Sequence, residues 1–120
     1  MFIPVAVLLV AAPVGAEPVE RSGDAERGRV VAGVRCMPCH HLHLESKLIG
    51  PGLKGIFNRA PSISGVPFER WDDASMDAWL KAPRLIKPNT TMAIPPIAER
   101  DRADLIAYFK RDENSEMQVD

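Results

Sequence analysis

Apolar and polar residues alternate along this chain in a way that predicts a few short helices joined by long loops. Segments 25–34, 72–81 and 99–111 carry apolar residues at helical spacing. Asp24 is a suitable N-cap for the first segment, and Pro83 ends the second. The apolar positions are Val30, Val31 and Val34, then Ala74, Met76, Ala78 and Trp79, and finally Leu105, Ile106, Tyr108 and Phe109. No segment shows the strict alternation of a strand, so we expect an all-α domain of roughly three to five short helices.

Two long loops separate the predicted helices. Residues 48–67 are rich in Gly and Pro but also contain apolar residues such as Ile56, which predicts an ordered loop with several turns. Residues 84–96 form a second loop, which contains three prolines. Long ordered loops in small domains usually contribute to function, so we expect these two to surround a ligand.

The N-terminus has the composition of a secretory signal peptide. Residues 2–14 are largely apolar and are followed by a Gly-Ala pair that suits signal peptidase. The run is shorter than the roughly 20 apolar residues of a membrane span, although no Lys or Arg precedes it. We therefore predict a signal peptide over 1–16, a domain over 17–112 and a polar tail over 113–120. The alternative is an uncleaved N-terminal segment that anchors the protein to a membrane.

The charge of the chain is nearly balanced, with a net value of −1, and gives no indication of nucleic-acid binding. One stretch is locally basic, because Lys81, Arg84 and Lys87 are followed by no acidic residue before Glu99. We predict that docking of a redox partner protein depends on this stretch, and that the protein itself is a monomer. The alternative is an ordinary solvated face.

The candidate chemistry centres on the stretch Cys36-Met37-Pro38-Cys39-His40, which has the C-x-x-C-H pattern of c-type haem attachment. Positions three apart lie on one face of a helical turn, so both sulfurs can reach the vinyl groups of one porphyrin. His40 can then donate a ring nitrogen to the iron. The motif predicts one haem c, held covalently by Cys36 and Cys39.

Two other uses of the cysteines remain open at this point. A thiol redox centre places C-x-x-C in a βαβ setting, and no strand pattern surrounds this pair. A structural zinc site needs four ligands from separate segments, whereas the chain has two cysteines and all three histidines lie beside them. Haem attachment is the interpretation that the pattern favours.

A second axial ligand is expected from the loop 84–96. Of the five methionines, Met92 lies in this loop, far enough along the chain from His40 to approach the opposite face of a haem. Met76 stands at helical spacing with Trp79 and is expected in the core. A histidine, or an open distal position, is the alternative.

Beyond these residues, the chain resembles the class I cytochromes c in an ordered series of motifs. The series comprises Cys36 to His40, Gly50-Pro51-Gly52-Leu53, Gly55-Ile56-Phe57-Asn58-Arg59, Trp71, Trp79-Leu80, Pro83, Pro88-Asn89-Thr90-Thr91-Met92, and Arg102 to Tyr108. The resemblance covers nearly all of the predicted domain. It implies the cytochrome c fold, in which long loops wrap around one covalently bound haem. Bacterial members of this family acquire haem outside the cytoplasm, which agrees with an exported, periplasmic protein.

The resemblance also implies roles for individual residues at the haem. Pro51 would accept a hydrogen bond from the imidazole of His40, and Met92 would be the distal ligand. The haem propionates would be hydrogen-bonded by Arg59, Trp71 and Thr90. The residues alone also allow Trp71 to be a core aromatic and Arg59 to be a solvated surface charge.

Three further expectations follow from the resemblance. Gly28 would receive Tyr108 where the first and last helices cross. Trp79 stands where mitochondrial-type members have a tyrosine that donates to the methionine sulfur, so its indole N–H would donate instead. The stretch between Arg59 and Trp71 is shorter than in those members, which leaves part of the propionate edge without its usual cover.

A haem with both axial positions filled has no vacant site for a substrate and suits single-electron transfer. We therefore expect a soluble electron carrier that works with redox protein partners and is not an enzyme. One alternative is a dedicated electron-transfer subunit of a larger redox complex. Another is a haem enzyme or gas sensor with a labile distal ligand.

Overall fold

The computed structural model describes residues 1–7 and 22–116, and within them it contains four helices and no strand. The helices are α1 (Ala25–Arg35), α2 (Asp73–Lys81), α3 (Pro83–Ile86) and α4 (Glu99–Glu116). The all-α prediction is confirmed. The predicted cleavage point after Ala16 and the last four residues lie outside the described part of the chain. No helix in that part is both long and apolar enough to cross a membrane.

Helix α1 begins where the sequence predicts, but it buries a different face. The Asp24 carboxylate caps it by accepting hydrogen bonds from the N–H groups of Glu26 and Arg27, at 3.0 and 3.1 Å. Val30 and Val34 are 55% and 72% exposed, so the predicted apolar side is wrong for these two. The buried residues are Gly28 and Ala32 instead. Small residues are buried here because α1 crosses α4 at close range.

The crossing of α1 and α4 depends on the missing side chain of Gly28. A Cβ atom at Gly28 would lie 1.9 Å from the carbonyl oxygen of Asp104 and 2.9 Å from Cβ of Tyr108. The predicted meeting of Gly28 with Tyr108 is therefore confirmed. Beside the crossing, Asp104 accepts a hydrogen bond from the backbone N–H of Asp24 at 2.7 Å and pairs with Arg27 at 2.5 Å.

Helix α2 has a capping box and presents a large apolar face to the core. Asp72 is the N-cap: its carboxylate accepts from Ser75 N–H, and the Ser75 hydroxyl accepts from Asp72 N–H, both at 2.8 Å. Met76, Trp79 and Leu80 are buried, which confirms Met76 as a core residue. Ala74 and Ala78 are exposed.

The structure revises two boundaries. The predicted loop 84–96 starts with the short helix α3, which has Pro83 at its first turn, where the missing N–H of proline is harmless. Helix α4 runs five residues past its predicted end at Arg111, to Glu116. Its buried Arg102 pairs with Asp77 of α2 at 2.7 Å and thereby ties the two helices together.

The long loop 48–67 is ordered by turns and by hydrogen bonds to other segments. Asn58 adopts a positive φ of 65°, which asparagine tolerates better than most residues. This turn lets its N–H donate to the carbonyl of Trp71 at 2.7 Å, while the N–H of Trp71 donates to the carbonyl of Arg59 at 3.0 Å. The loop is thereby brought against the start of α2, and one side of a cavity is formed.

Candidate haem site

A cavity of about 350 Å³ lies between the segment after α1, the long loop, α2 and the segment after α3. It brings together seven of the eight predicted site residues: Cys36, Cys39, His40, Pro51, Trp71, Thr90 and Met92. Arg59 is not part of the lining. Most of the remaining wall is apolar, with Leu53, Ile56, Ile63, Met76, Trp79, Leu80, Ile94 and Phe109. A mostly apolar wall with a few polar groups is typical of a cofactor site.

The C-x-x-C-H residues continue the helical path of α1 by one turn. The N–H of Cys36 donates to the carbonyl of Ala32 at 2.9 Å, and the N–H of His40 donates to the carbonyl of Cys36 at 3.0 Å. Burial raises the pKa of the Cys36 thiol to about 11, with only a smaller opposing effect from the charge of Arg35. A reactive dithiol centre needs a lowered pKa, so this environment argues against the thiol redox alternative.

The imidazole of His40 is held in one orientation. Its Nδ1 lies 2.7 Å from the carbonyl oxygen of Pro51, as the family resemblance implies. A carbonyl oxygen can only accept, so Nδ1 carries the hydrogen and Nε2 keeps its lone pair for a metal. Gly50 lies against the ring, where a Cβ would be 2.3 Å from Cε1. The loop 48–67 therefore both orients the histidine and packs on it.

Met92 also lines the cavity, and its thioether has a donor. The indole Nε1–H of Trp79 donates to Met92 Sδ at 3.1 Å, which confirms the expectation for this tryptophan. The hydroxyl oxygen of Thr90 accepts a hydrogen bond from the N–H of Met92 at 3.2 Å. Two contacts thus hold the Met92 backbone and sulfur at the cavity wall.

The other two residues that are predicted to bind the propionates, Arg59 and Trp71, have partners within the protein. Arg59 donates to the carbonyl of Gly52 at 2.7 Å and to that of Lys54 at 3.0 Å, so it holds the loop that packs on His40. Trp71 is buried, and its ring centroid lies 4.8 Å from that of Phe68 and 5.7 Å from that of Trp79. Trp71 is thus a core aromatic, as the residues alone allow, whereas Arg59 is half-buried and hydrogen-bonded rather than a solvated surface charge. The propionate contacts of both residues stay predictions.

The basic stretch is only partly available to a partner. Lys81 and Arg84 are exposed. Lys87 is half-buried, and its Nζ donates to the carbonyl of Ser64 at 2.6 Å. Lys87 therefore tethers the loop between Arg59 and Trp71, and that loop contributes Ser62 and Ile63 to the cavity wall.

Sequence reasoning missed two residues that shape the site. Gly50 stands in the motif series above, but the resemblance assigns it no role, although its place directly before Pro51 indicates a close approach of the backbone. Arg35, the residue before Cys36, lines the cavity and donates to the carbonyl of Pro95 at 2.5 Å. No local pattern indicates that contact, because it joins residues 60 positions apart.

No protein-family model matches the chain, but individual relatives do. Cytochrome c of Euglena viridis is 34% identical over 98 residues, which are 73% of this chain and 96% of the relative. Cytochrome c of Tetrahymena pyriformis is 32% identical and aligns with 73% of this chain and 88% of the relative. The chain belongs to the cytochrome c family. Among solved structures, cytochrome cH from Methylobacterium extorquens superposes with a TM-score of 0.62 and 29% identity, covering 74% of this chain and 99% of that one.

Membership of the cytochrome c family makes this protein an electron carrier with one haem c rather than an enzyme. The residues present fit that group: two thiols and an oriented imidazole line one apolar cavity, and Gly50 leaves the imidazole room. Among the described residues, no group of three Cys, His, Asp or Glu side chains is placed to hold a metal ion directly. When bound, haem c supplies an iron that takes up and releases single electrons.

Proposed function

We propose that this cytochrome is a soluble periplasmic electron carrier whose haem iron is held between His40 and Met92. Cys36 and Cys39 carry the porphyrin, and the exported domain comprises residues 17–112. The observation that supports the ligand pair most directly is the Trp79 hydrogen bond, because it holds the Met92 sulfur at the wall of the cavity that His40 also lines.

Each residue of the site then has a defined task. The Pro51 carbonyl fixes the orientation of the His40 ring and leaves Nε2 available as a ligand. The hydrogen bond from Nδ1–H to this carbonyl also raises the basicity of the ring. Met92 would be the second protein ligand of the iron, and a thioether paired with an imidazole gives a higher reduction potential than two imidazoles. The apolar walls would keep water away from the iron, which lowers the local dielectric constant and thereby helps to set the reduction potential. Arg59, Trp71 and Thr90 would bind the propionates in addition to their contacts within the protein.

The experiment compares two methionine variants of the haem-loaded protein. Ferric wild type is expected to show the weak near-infrared sulfur-to-iron band. Met92→Ala should lose this band, bind added ligands at the open position and have a lower potential. Met76→Ala, which also lines the cavity but belongs to the core, should keep the band while losing about 2–5 kcal/mol of stability. If Met76→Ala loses the band and Met92→Ala keeps it, the assigned methionine is wrong.

The covalent attachment has its own test. Protein matured with the c-type assembly machinery should have the apoprotein mass plus one haem, and acidified acetone should not extract that haem. A Cys36→Ala/Cys39→Ala double variant should lose covalent haem entirely. Haem that acid-acetone removes from the wild type would contradict the attachment.

A further inference from the structure

Residues 92–97, which we name the distal strap, connect Met92 to the start of α4. The strap belongs to no helix and contains Pro95 and Pro96. Proline has no backbone N–H, so two consecutive donors are missing at this point. The strap is therefore attached through its carbonyl groups and through side chains such as that of Ile97, which is buried in the core.

Two guanidinium groups contact three consecutive carbonyl groups of the strap. Nη2 of Arg35 donates to Pro95 O at 2.5 Å and lies 3.5 Å from Pro96 O. Nη1 of Arg102 donates to Ile97 O at 2.6 Å. The first guanidinium comes from α1 and the second from α4, so the strap is held by both terminal helices.

The two arginines differ in their surroundings. Arg102 is buried and also pairs with Asp77, so it is part of the helix packing and stays in place as long as the fold does. Arg35 is half-buried at the cavity, beside the strap residues Met92, Ala93 and Ile94. Its contact can break without unfolding the helices, because it lies at the edge of the structure and not in the core.

We propose that Arg35 is a positioning residue that keeps the distal strap closed and thereby limits how often Met92 leaves the iron. The proposal rests on the proposed function, in which Met92 is the distal ligand. Arg35 suits this task because it directly precedes Cys36 and reaches across to Pro95, so one side chain joins the two segments that carry the haem and its distal ligand. Loss of its guanidinium leaves the Trp79 contact to Met92 intact but frees the strap beyond it.

The test measures imidazole binding to the ferric haem protein, since imidazole can bind only after Met92 has left. Arg35→Gln should bind imidazole about 3–10-fold more tightly than wild type, which is the effect of losing a partly exposed, charged hydrogen bond. Arg35→Lys keeps the charge but has a single donor group, and should lie between the two. Arg29→Gln, an exposed arginine on the same helix, is the matched control and should equal wild type.

A second readout separates strap opening from general loss of stability. In Arg35→Gln, hydrogen exchange should accelerate at the amides of Met92, Ala93 and Ile94, while the amide of Leu105 in the core keeps its wild-type rate. Equal acceleration at Leu105 would overturn the proposal, since Arg35 would then support the whole fold.

The Met92→Ala variant distinguishes the two proposals. If it loses the sulfur-to-iron band while Arg35→Gln matches wild type in imidazole affinity and exchange, the role of Arg35 is overturned and Met92 remains the ligand. If Met92→Ala keeps the band of wild type, the ligand assignment fails and the role of Arg35 fails with it.

Discussion

Gly50 leaves no room for a side chain at the site. Its α-hydrogen faces the His40 imidazole, and a Cβ in this place would lie 2.3 Å from Cε1 and 2.7 Å from Nδ1. Gly50→Ala should therefore displace the ring and break its 2.7 Å contact with the Pro51 carbonyl. We expect the haem protein to lose about 1–3 kcal/mol of stability, measured by chemical denaturation.

Gly33 provides the matched control for this substitution. A Cβ at Gly33 would meet nothing within 4 Å, and the residue lies inside α1. Gly33→Ala should therefore stabilise the protein by about 0.5–1 kcal/mol, because alanine loses less backbone entropy in a helix. Equal destabilisation by both alanines would show that contact with His40 is not what excludes a side chain at Gly50.

Trp79 is a second residue whose contact at the site has a measurable effect, in this case on the reduction potential. If Met92 ligates the iron as proposed, this N–H···S hydrogen bond withdraws electron density from the sulfur and makes it a poorer ligand for ferric iron. Trp79→Phe removes this bond and should lower the reduction potential by up to about 60 mV, the equivalent of one hydrogen bond in a one-electron couple. A redox titration measures the shift.

Phe109→Leu is a suitable control for Trp79→Phe. It also removes aromatic volume from the cavity wall, but no hydrogen bond to sulfur. We expect its potential to stay close to that of wild type. A similar fall in both variants would assign the effect to packing rather than to the N–H···S contact.

At the scale of elements, the crossing of α1 and α4 is supported by the Asp104 carboxylate. Burial raises the pKa of Asp104, but hydrogen bonds from Asp24 N–H and Arg27 outweigh burial, and the result lies below the ordinary value of 3.8. A carboxyl group with a lowered pKa in the folded state stabilises the protein fully above the unfolded value. That stabilisation is lost as the pH falls below 3.8 and through the folded pKa.

Asp104→Asn tests this electrostatic contribution to the helix crossing. At pH 7 it should cost about 1–2 kcal/mol, because the neutral amide keeps a contact to Asp24 N–H but loses the charge facing Arg27. Below the pKa of the free carboxyl group, the difference in unfolding free energy between wild type and variant should shrink. Denaturation curves across this range measure it, and a constant difference at every pH would contradict the assignment. Asp101→Asn, which affects the more exposed partner of Arg27, should cost less.

At the scale of the whole molecule, we expect the basic stretch to affect the rate at which the protein associates with charged molecules. Lys81 and Arg84 are exposed, whereas Lys87 is engaged with Ser64. The variant to test therefore reverses the charges of Lys81 and Arg84 only. With anionic ferricyanide as oxidant, Lys81→Glu/Arg84→Glu should reduce the second-order rate constant of oxidation by about 10-fold at low ionic strength.

The rates of this variant and of wild type should converge as salt is added, because screening removes the long-range attraction. Arg29→Glu/Arg100→Glu changes the net charge equally at two other exposed positions and should have a smaller effect. Identical rates for wild type and the Lys81/Arg84 variant at every salt concentration would leave the stretch as an ordinary solvated face.

The fold class, the positions of α1, α2 and α4 and the haem-attachment motif can be predicted from local sequence. The spacing of Cys36, Cys39 and His40 is short enough that a helical turn alone brings them together, so no tertiary information is needed to predict haem attachment. Helical periodicity located α2 and α4, because each has large apolar side chains on one face. The start of α1 followed from the Asp24 cap. The fold class is thus determined by patterns that act within a few residues.

Apart from contacts that the family resemblance implies, such as that of Gly28 with Tyr108, only the tertiary structure decided which groups meet across the chain. Periodicity assigned Val30 and Val34 to the buried face of α1, but the close approach of α4 selected Gly28 and Ala32, since two backbones in near contact leave no space for a branched side chain. At Gly50 the space for a side chain is occupied by the imidazole ring of His40. Arg35 reaches the carbonyl of Pro95 because the folded chain brings the distal strap to the end of α1. Sequence supplies such donors and acceptors, and the path of the backbone decides which of them come within hydrogen-bond distance.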